Sequence, residues 1–302
     1  MKRDFLSIND ISPTETHQII QRAKTLKEHP ANLSLGGKTI ALLFEKPSLR
    51  TKVSFQVGIH QLNGYSLYLN PEEVGLGSRE PVSDVAKVLS GYVDCIIARV
   101  FSHRTLLDLA KYSSIPIINA LSDHEHPCQT ISDILTISEH KPDLQGLKLA
   151  FIGDGNNVSR SLCLGLPGLG MSFSIATPKS YQLDPDTMHQ ATSQASSSQV
   201  IIESVLSPEE AVINADIVYT DVWASMGQEE ESNNRKIDFQ GYTVGTKLLS
   251  QADSDAIFMH DMPAHYGEEV EYGMLDHPQS VAYQQAHNRL HAQKALLEFL
   301  LC

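Results

Sequence analysis

The stretch Lys38-Thr39-Ile40-Ala41-Leu42-Leu43-Phe44-Glu45-Lys46-Pro47-Ser48-Leu49-Arg50-Thr51-Lys52 decides how the chain folds. Its first seven residues, Lys38–Phe44, are apolar on both faces, as a strand buried in a parallel sheet reads. Pro47 and Ser48 then punctuate the chain, and Val53, Val57 and Leu62 follow at helical positions. A strand-to-helix turn aims free N–H groups and the positive end of the helix dipole at one spot. Ser48 and Thr51 add hydroxyls there, and Lys46, Arg50 and Lys52 add charge. That combination makes an oxyanion or phosphate site; the plainer alternative is a helix N-cap among surface basic residues.

The same alternation extends outward almost from end to end. Further strands are expected at 64–70, 95–100, 115–119, 148–153, 172–176, 200–202, 217–220, 256–260 and 280–283. Helix starts are marked by Ser12-Pro13-Thr14-Glu15, a capping box with Pro at the first helical position, and by Ser207-Pro208-Glu209-Glu210, which repeats the device. The fold class expected is α/β, with two doubly wound domains and mainly parallel sheets. The first domain is placed at residues 1–138 and the second at 147–283, with Glu139–Gly146 as the boundary. The segment 284–302 is expected to form a helix with Leu290, Ala295, Leu296 and Leu300 toward a core. From Trp223 to Tyr242 the chain is polar and mostly aperiodic, which suggests either a solvated insertion or a lid over a ligand.

Composition narrows the function classes. Of 302 residues, 41% are apolar and 20% charged, as in ordinary globular proteins. The formal net charge of -13 argues against nucleic acid as a partner, which needs a broad basic face. An anionic ligand must therefore find a local concentration of positive charge, and residues 46–52 supply one. Cys95, Cys128, Cys163 and Cys302 contain no C-x-x-C pair, so neither a disulfide framework nor a zinc site is expected. The first ten residues lack the apolar core of a signal peptide, and no window approaches 18 apolar residues. A cytoplasmic protein with no membrane association is expected.

The Ser48–Thr51 segment resembles the Ser-Thr-Arg-Thr carbamoyl phosphate motif of the aspartate and ornithine transcarbamoylases, with Leu49 in place of the usual Thr. His126-Pro127-Cys128-Gln129 is similar to the family's His-Pro-Cys-Gln. The resemblance implies that His126 polarises the carbamoyl carbonyl, that Gln129 holds the carbamoyl amide, and that Arg99 bridges phosphate and carbonyl oxygens. His287-Asn288-Arg289-Leu290-His291 resembles the family's Glu-Asn-Arg-Leu-His with one substitution, which makes Arg289 a further carbamoyl phosphate ligand. It also implies that the terminal helix, 284–302, returns to the first domain. Carbamoyl phosphate is thus expected at Ser48, Leu49, Arg50, Thr51, Arg99, His126, Pro127, Cys128, Gln129 and Arg289.

The second half carries the acceptor by the same resemblance. Asp221-Val222-Trp223-Ala224-Ser225-Met226-Gly227 holds the Ser-Met-Gly that marks users of ornithine, so ornithine is expected on Asn157, Asp221, Ser225, Met226, Asp261 and Met262. Gly153-Asp154-Gly155-Asn156-Asn157-Val158 has Val158 where a dinucleotide fingerprint needs its third glycine. Two departures stand out. His260-Asp261-Met262-Pro263 replaces the family's His-Cys-Leu-Pro, and Gly75 lies where many members carry a Gln that reaches into a neighbouring subunit.

The attacking amine must be neutral, whereas an alkylammonium has a pKa of about 10.4. An ionised Asp261 beside it favours the ammonium unless Asp261 is itself raised in pKa or acts as a base. Arg99, His126 and Asp261 are thus the candidate catalytic residues. The activity implied is transfer of the carbamoyl group of carbamoyl phosphate to the ornithine side-chain amine, giving citrulline and phosphate in a cleft between the domains. No metal or organic cofactor is expected, and a homotrimer or a multiple of it is implied. The alternatives are transfer to another amine such as an N-acylated ornithine, a member whose turnover Asp261 impairs, and a nicotinamide oxidoreductase resting on the incomplete glycine motif.

Overall fold

A computed structural model describes residues 2–29, 34–77, 79–197, 199–224 and 229–302. Ser225 and Met226 lie outside the described residues. The chain divides into two compact units, residues 1–135 with 288–302, and residues 136–287. The helices Pro127–His140 and Ala282–Leu301 each run through a division point, so two helices rather than two loops carry the chain from unit to unit. No described helix is long and apolar enough to cross a membrane.

The first unit is built on four parallel strands, β1 (Thr39–Phe44), β2 (Tyr65–Leu69), β3 (Cys95–Arg99) and β4 (Ile117–Leu121), in the order β2-β1-β3-β4. β1 and β3 are the central pair and are buried almost throughout. The second unit has five parallel strands, β5 (Lys148–Ile152), β6 (Ser172–Ala176), β7 (Ile202–Val205), β8 (Ile217–Thr220) and β9 (Ile257–His260), ordered β7-β6-β5-β8-β9. In each sheet the winding reverses once, between β1 and β3 in the first and between β5 and β8 in the second. Such switch points leave a crevice at the carboxyl ends of the strands, where open α/β sheets hold their ligands.

Five expectations need correction. The segment 280–283 is not a strand: Phe258 and Ser280 form one isolated bridge, and the helix starts at Ala282. β7 begins where the expected strand ended, because Gln199–Ile201 leads in from a turn and pairing starts at Ile202 opposite Phe173. The stretch 223–242 is not one long loop, since Ser232–Asp238 is helical. Its polar surface hid two anchors, a buried Arg235 and a fully buried Phe239 stacked on Trp223 with ring centroids 5.5 Å apart. Glu139 and His140, read as boundary, belong to the Pro127–His140 helix. The capping box at Ser12 is formed, whereas Ser207 caps by accepting from the Glu210 N–H and donates instead to Glu209.

Candidate functional site

In the first unit the chain leaves β1 through Glu45-Lys46-Pro47 and enters the Leu49–Gln61 helix at its N-cap, Ser48. Ser48 Oγ accepts from the Thr51 N–H at 3.3 Å and lies 3.0 Å from Thr51 Oγ1, so the cap uses one of the helix's free donors and leaves the neighbouring ones. Thr51 is buried, and Leu49 and Arg50 are turned outward, Leu49 being 74% exposed. Arg289, buried on the Ala282–Leu301 helix, donates from Nη2 to Thr51 Oγ1 at 2.9 Å across 238 residues of sequence. Lys46 is buried with its ammonium 4.7 Å from the centre of the Phe101 ring, a cation–π pairing.

Across the switch point, Arg99 closes β3 beside a register irregularity at Ala98/Arg99, and its carbonyl accepts from the Glu45 N–H at 2.8 Å. That bond joins the loop after β1 to the end of β3, and the Glu45 carboxylate accepts from the Phe101 N–H at 2.9 Å. His126 follows β4, in a loop folded by Ser122, which accepts from the His124 and Glu125 N–H groups. Glu125 is buried, and its carboxylate takes the Ile8 N–H at 3.0 Å, tying the loop to the start of the chain.

His126 is fully buried, and burial, with the Arg289 and Arg99 charges behind it, holds its imidazole well below the usual histidine pKa. It is therefore a neutral ring that can donate a hydrogen bond without adding charge. Pro127 opens the next helix, and the Cys128 thiol turns back to donate to the Asn119 carbonyl at 3.2 Å. Burial pushes that thiol up to about 12, so it is no nucleophile. Gln129, wholly buried, donates from Nε2 to Asp133 at 2.8 Å, and its Oε1 has no hydrogen-bond partner among the described residues.

In the second unit the switch point gathers acids rather than bases. After β5, Asn156 caps the Asn157–Gly165 helix by accepting from the Val158 and Ser159 N–H groups, and its Nδ2 donates to Asp221 Oδ2 at 2.7 Å. Asp221 follows β8 and Asp261 follows β9; with His260 their ligand atoms lie within 4.8 Å of one another. Burial, and then the facing Asp261 carboxyl, push the Asp221 carboxyl well above its usual range. His260 is held in one tautomer: Nδ1 accepts from the Met262 N–H at 2.8 Å, so Nε2 carries the proton and faces Glu269 Oε1 at 3.2 Å. Glu269, itself buried, also accepts from the His265 N–H at 2.5 Å. Met262 takes a left-handed φ of 59° ahead of a cis bond to Pro263.

The glycine-rich turn after β5 has a packing cause. Gly155 N–H donates to the Tyr181 carbonyl at 2.8 Å, and a Cβ at Gly155 would meet backbone of residues 181–183 at 2.5–2.7 Å. The chain's own backbone covers the turn where a pyrophosphate would have to lie. Arg235, which the sequence reading missed, donates to Asp154 at 2.8 Å and to the Trp223 carbonyl at 2.7 Å, fixing the segment that follows Asp221. Glu125 and Glu269 were also missed; Asp123-His124-Glu125-His126 and Glu268-Glu269-Val270-Glu271 are polar runs that give no local sign of a buried acid.

Two parallel α/β units, one with a cation-rich oxyanion cradle at its switch point and the other with an acidic cluster at its own, define the class of this protein. The chain matches "Aspartate/ornithine carbamoyltransferase, carbamoyl-P binding domain" over residues 3–139 and the Asp/Orn binding domain of the same description over residues 145–300. It belongs to that carbamoyltransferase family. An ornithine carbamoyltransferase of Thermococcus kodakarensis is 47% identical over 99% of this chain and 96% of its own length. One of Anoxybacillus flavithermus is 48% identical over 99% and 96%. The solved ornithine carbamoyltransferase of Pyrococcus furiosus superposes with a TM-score of 0.95 at 44% identity, covering 99% of this chain and 97% of that one.

Proposed function

We propose that the chain is an ornithine carbamoyltransferase, converting carbamoyl phosphate and L-ornithine to L-citrulline and phosphate. The observation that carries this is the first unit's cradle. Ser48, Thr51, Arg99 and Arg289 supply donors and positive charge for a phosphate, and a buried Gln129 offers Oε1, an acceptor suited to a carbamoyl NH₂. A carbamoyl NH₂ brings two N–H donors to that acceptor, whereas a fully ionised phosphate oxygen brings none. The names of the relatives support ornithine as the amine.

In this reading carbamoyl phosphate lies on Ser48–Thr51, Arg99, His126–Gln129 and Arg289. As the amine nitrogen adds to the carbonyl carbon, negative charge grows on the carbonyl oxygen. Neutral His126, Arg99 and Thr51 donate to it, and fixed donors of this kind stabilise the developing oxyanion more than the ground state. The phosphate leaves with its charge met by Arg99, Arg289 and the helix N-terminus. Ornithine lies on Asn157, Asp221, Asp261 and Met262, with Ser225 and Met226 as its further ligands. Leu49, in place of a threonine, contributes its N–H and no hydroxyl.

A homotrimer in the cytoplasm completes the proposal. It is supported by an apolar face in the first unit, where Leu49, Val53 and Val57 stand one helical turn apart and Tyr65 and Leu67 lie on the edge strand β2, all more than a third exposed. The deciding experiment is citrulline formation across a panel of ornithine, N-acetylornithine, putrescine and aspartate. Citrulline and phosphate in equal amounts, with ornithine the preferred acceptor, is the expected result. Turnover of another amine with none of ornithine would refute the reading.

A further inference from the structure

The attacking nitrogen must shed a proton before it can add to a carbonyl, since an alkylammonium with a pKa of about 10.4 is almost wholly protonated near pH 7. Resting on the ornithine reading above, we propose that Asp261 is the proton acceptor for the reacting amine, working with Asp221 as a carboxyl pair that shares one proton.

Geometry carries the inference. The two acids follow adjacent parallel strands, β8 and β9, so their side chains emerge side by side. Asp221 is 5% exposed and the Asp261 side chain 12%. Each neighbour has a defined part. Asn156, at the helix start after β5, donates to Asp221 Oδ2 and cannot titrate. The Val222 N–H donates to Asp221 Oδ1 at 2.7 Å.

His260, from β9, places Nδ1 3.8 Å from Asp261 Oδ1, and that nitrogen is an acceptor occupied by the Met262 N–H. The same occupation removes it as a ligand for a metal ion at these acids. Glu269 sits behind His260 on its other nitrogen. Asp154, after β5, adds negative charge, and the cation nearest to it, Arg235, is engaged by Asp154, Glu231 and the Trp223 carbonyl. Two buried carboxyls that face each other in this setting cannot both hold a full charge and therefore share a proton.

An entering ammonium reverses the balance, because a nearby positive charge favours the doubly ionised pair. The pair releases its proton to solvent as the ligand docks, then takes one proton from the ammonium, leaving R–NH₂ beside a singly protonated pair. The nitrogen lone pair forms the C–N bond, the C–O bond to phosphorus's oxygen breaks, and its electrons leave with the phosphate. The second nitrogen proton departs on that phosphate as HPO₄²⁻. That proton stays on the pair, which is thus back in its resting state when the product leaves, and the one proton set free per turnover is the one released on docking. A cysteine at this position is a much weaker acceptor of this kind when buried, since burial raises a thiol further.

The test uses the full-length protein labelled with [4-¹³C]aspartate, together with Asp261→Asn, Asp261→Glu and steady-state kinetics. In the unmodified protein the two carboxyl resonances should titrate in two linked steps that Asp261→Asn collapses to one. Ornithine binding near pH 7 should release close to one proton per site. Asp261→Asn should lower kcat at pH 7 at least 30-fold with KM for carbamoyl phosphate within threefold, and should move the acidic limb of the kcat profile toward the amine's own pKa. The loss should shrink above pH 9, and Asp261→Glu should restore part of it.

Two carboxyls titrating independently in the usual carboxylate range would overturn the proposal, as would an Asp261→Asn enzyme with an unmoved limb. If the unmodified protein made no citrulline, the ornithine reading would fall instead. The ¹³C titration and the proton release on binding an alkylammonium would still judge the pair. The titration needs no variant, so a misfolded substitution leaves it intact.

Discussion

Replacing Arg289 with glutamine separates its charge from its hydrogen bond. Arg289 is 3% exposed and donates to Thr51 Oγ1 at 2.9 Å, and a glutamine can keep a donor to that oxygen while removing the guanidinium. Truncating one partner of a buried, hydrogen-bonded charge pair costs ~2–5 kcal/mol. The lower part of that range applies because Arg99 remains on the same site. A loss of ~2–3 kcal/mol weakens carbamoyl phosphate binding about 30- to 150-fold.

The ligand-free protein should behave oppositely. Arg289 and Arg99 both act on buried His126, and the substitution takes one buried charge away while keeping a donor, so the ligand-free Arg289→Gln protein should melt no lower than the parent. Calorimetric titration with a hydrolysis-resistant phosphonate analogue, with thermal unfolding run beside it, measures both quantities. Binding within threefold of the parent would refute the placement of phosphate against the terminal helix. A lowered melting temperature would refute the claim that the buried charge adds no stability to the ligand-free protein.

Other outcomes follow from single contacts. His126→Asn should lower kcat about 10²- to 10³-fold with little change in carbamoyl phosphate affinity, as loss of one oxyanion donor does; single-turnover kinetics separates the two. Gly155→Ala should destabilise the second unit by ~1–3 kcal/mol, because the added carbon meets backbone that cannot rotate away, and denaturant unfolding reads it. Glu15→Gln keeps the capping box at Ser12 but removes the ion pair that holds the Glu15 carboxyl down to about 2. A depressed carboxyl stabilises above its unfolded pKa and loses that contribution as pH falls through the folded value. The pair is largely solvent-exposed, so the difference should be only ~0.5 kcal/mol at pH 7 and should vanish near pH 2 in paired melts.

The sequence reading found the sheets because buried parallel strands are uniformly apolar, and β1, β3 and β5 are all of that kind. It misplaced β7, whose residues Ile202–Val205 are only partly buried at a sheet edge, and it made a strand of 280–283, where an apolar dipeptide is too short to set a period. The phosphate cradle was legible because Ser48, Thr51, His126 and Gln129 lie in short local motifs. What was not legible depends on long-range contacts. Nothing near Arg235 points to Asp154, 81 residues away, and nothing near Glu125 points to Ile8. The acid pair fell between the two, since Asp221 and Asp261 were each singled out but nothing in the sequence set one facing the other.

The split ownership of the first unit sets an order for the birth of the molecule. Residues 1–135 emerge from the ribosome before the second unit, yet Arg289 and the helix that carries it are made only after it. At 5–20 residues per second, the 154 residues from 136 to 289 (289 minus 135) take roughly 8–31 s to synthesise. Through that interval the nascent first unit has its sheet but neither its terminal helix nor its second arginine. The set of residues proposed to hold carbamoyl phosphate is thus completed only after the second unit has been made.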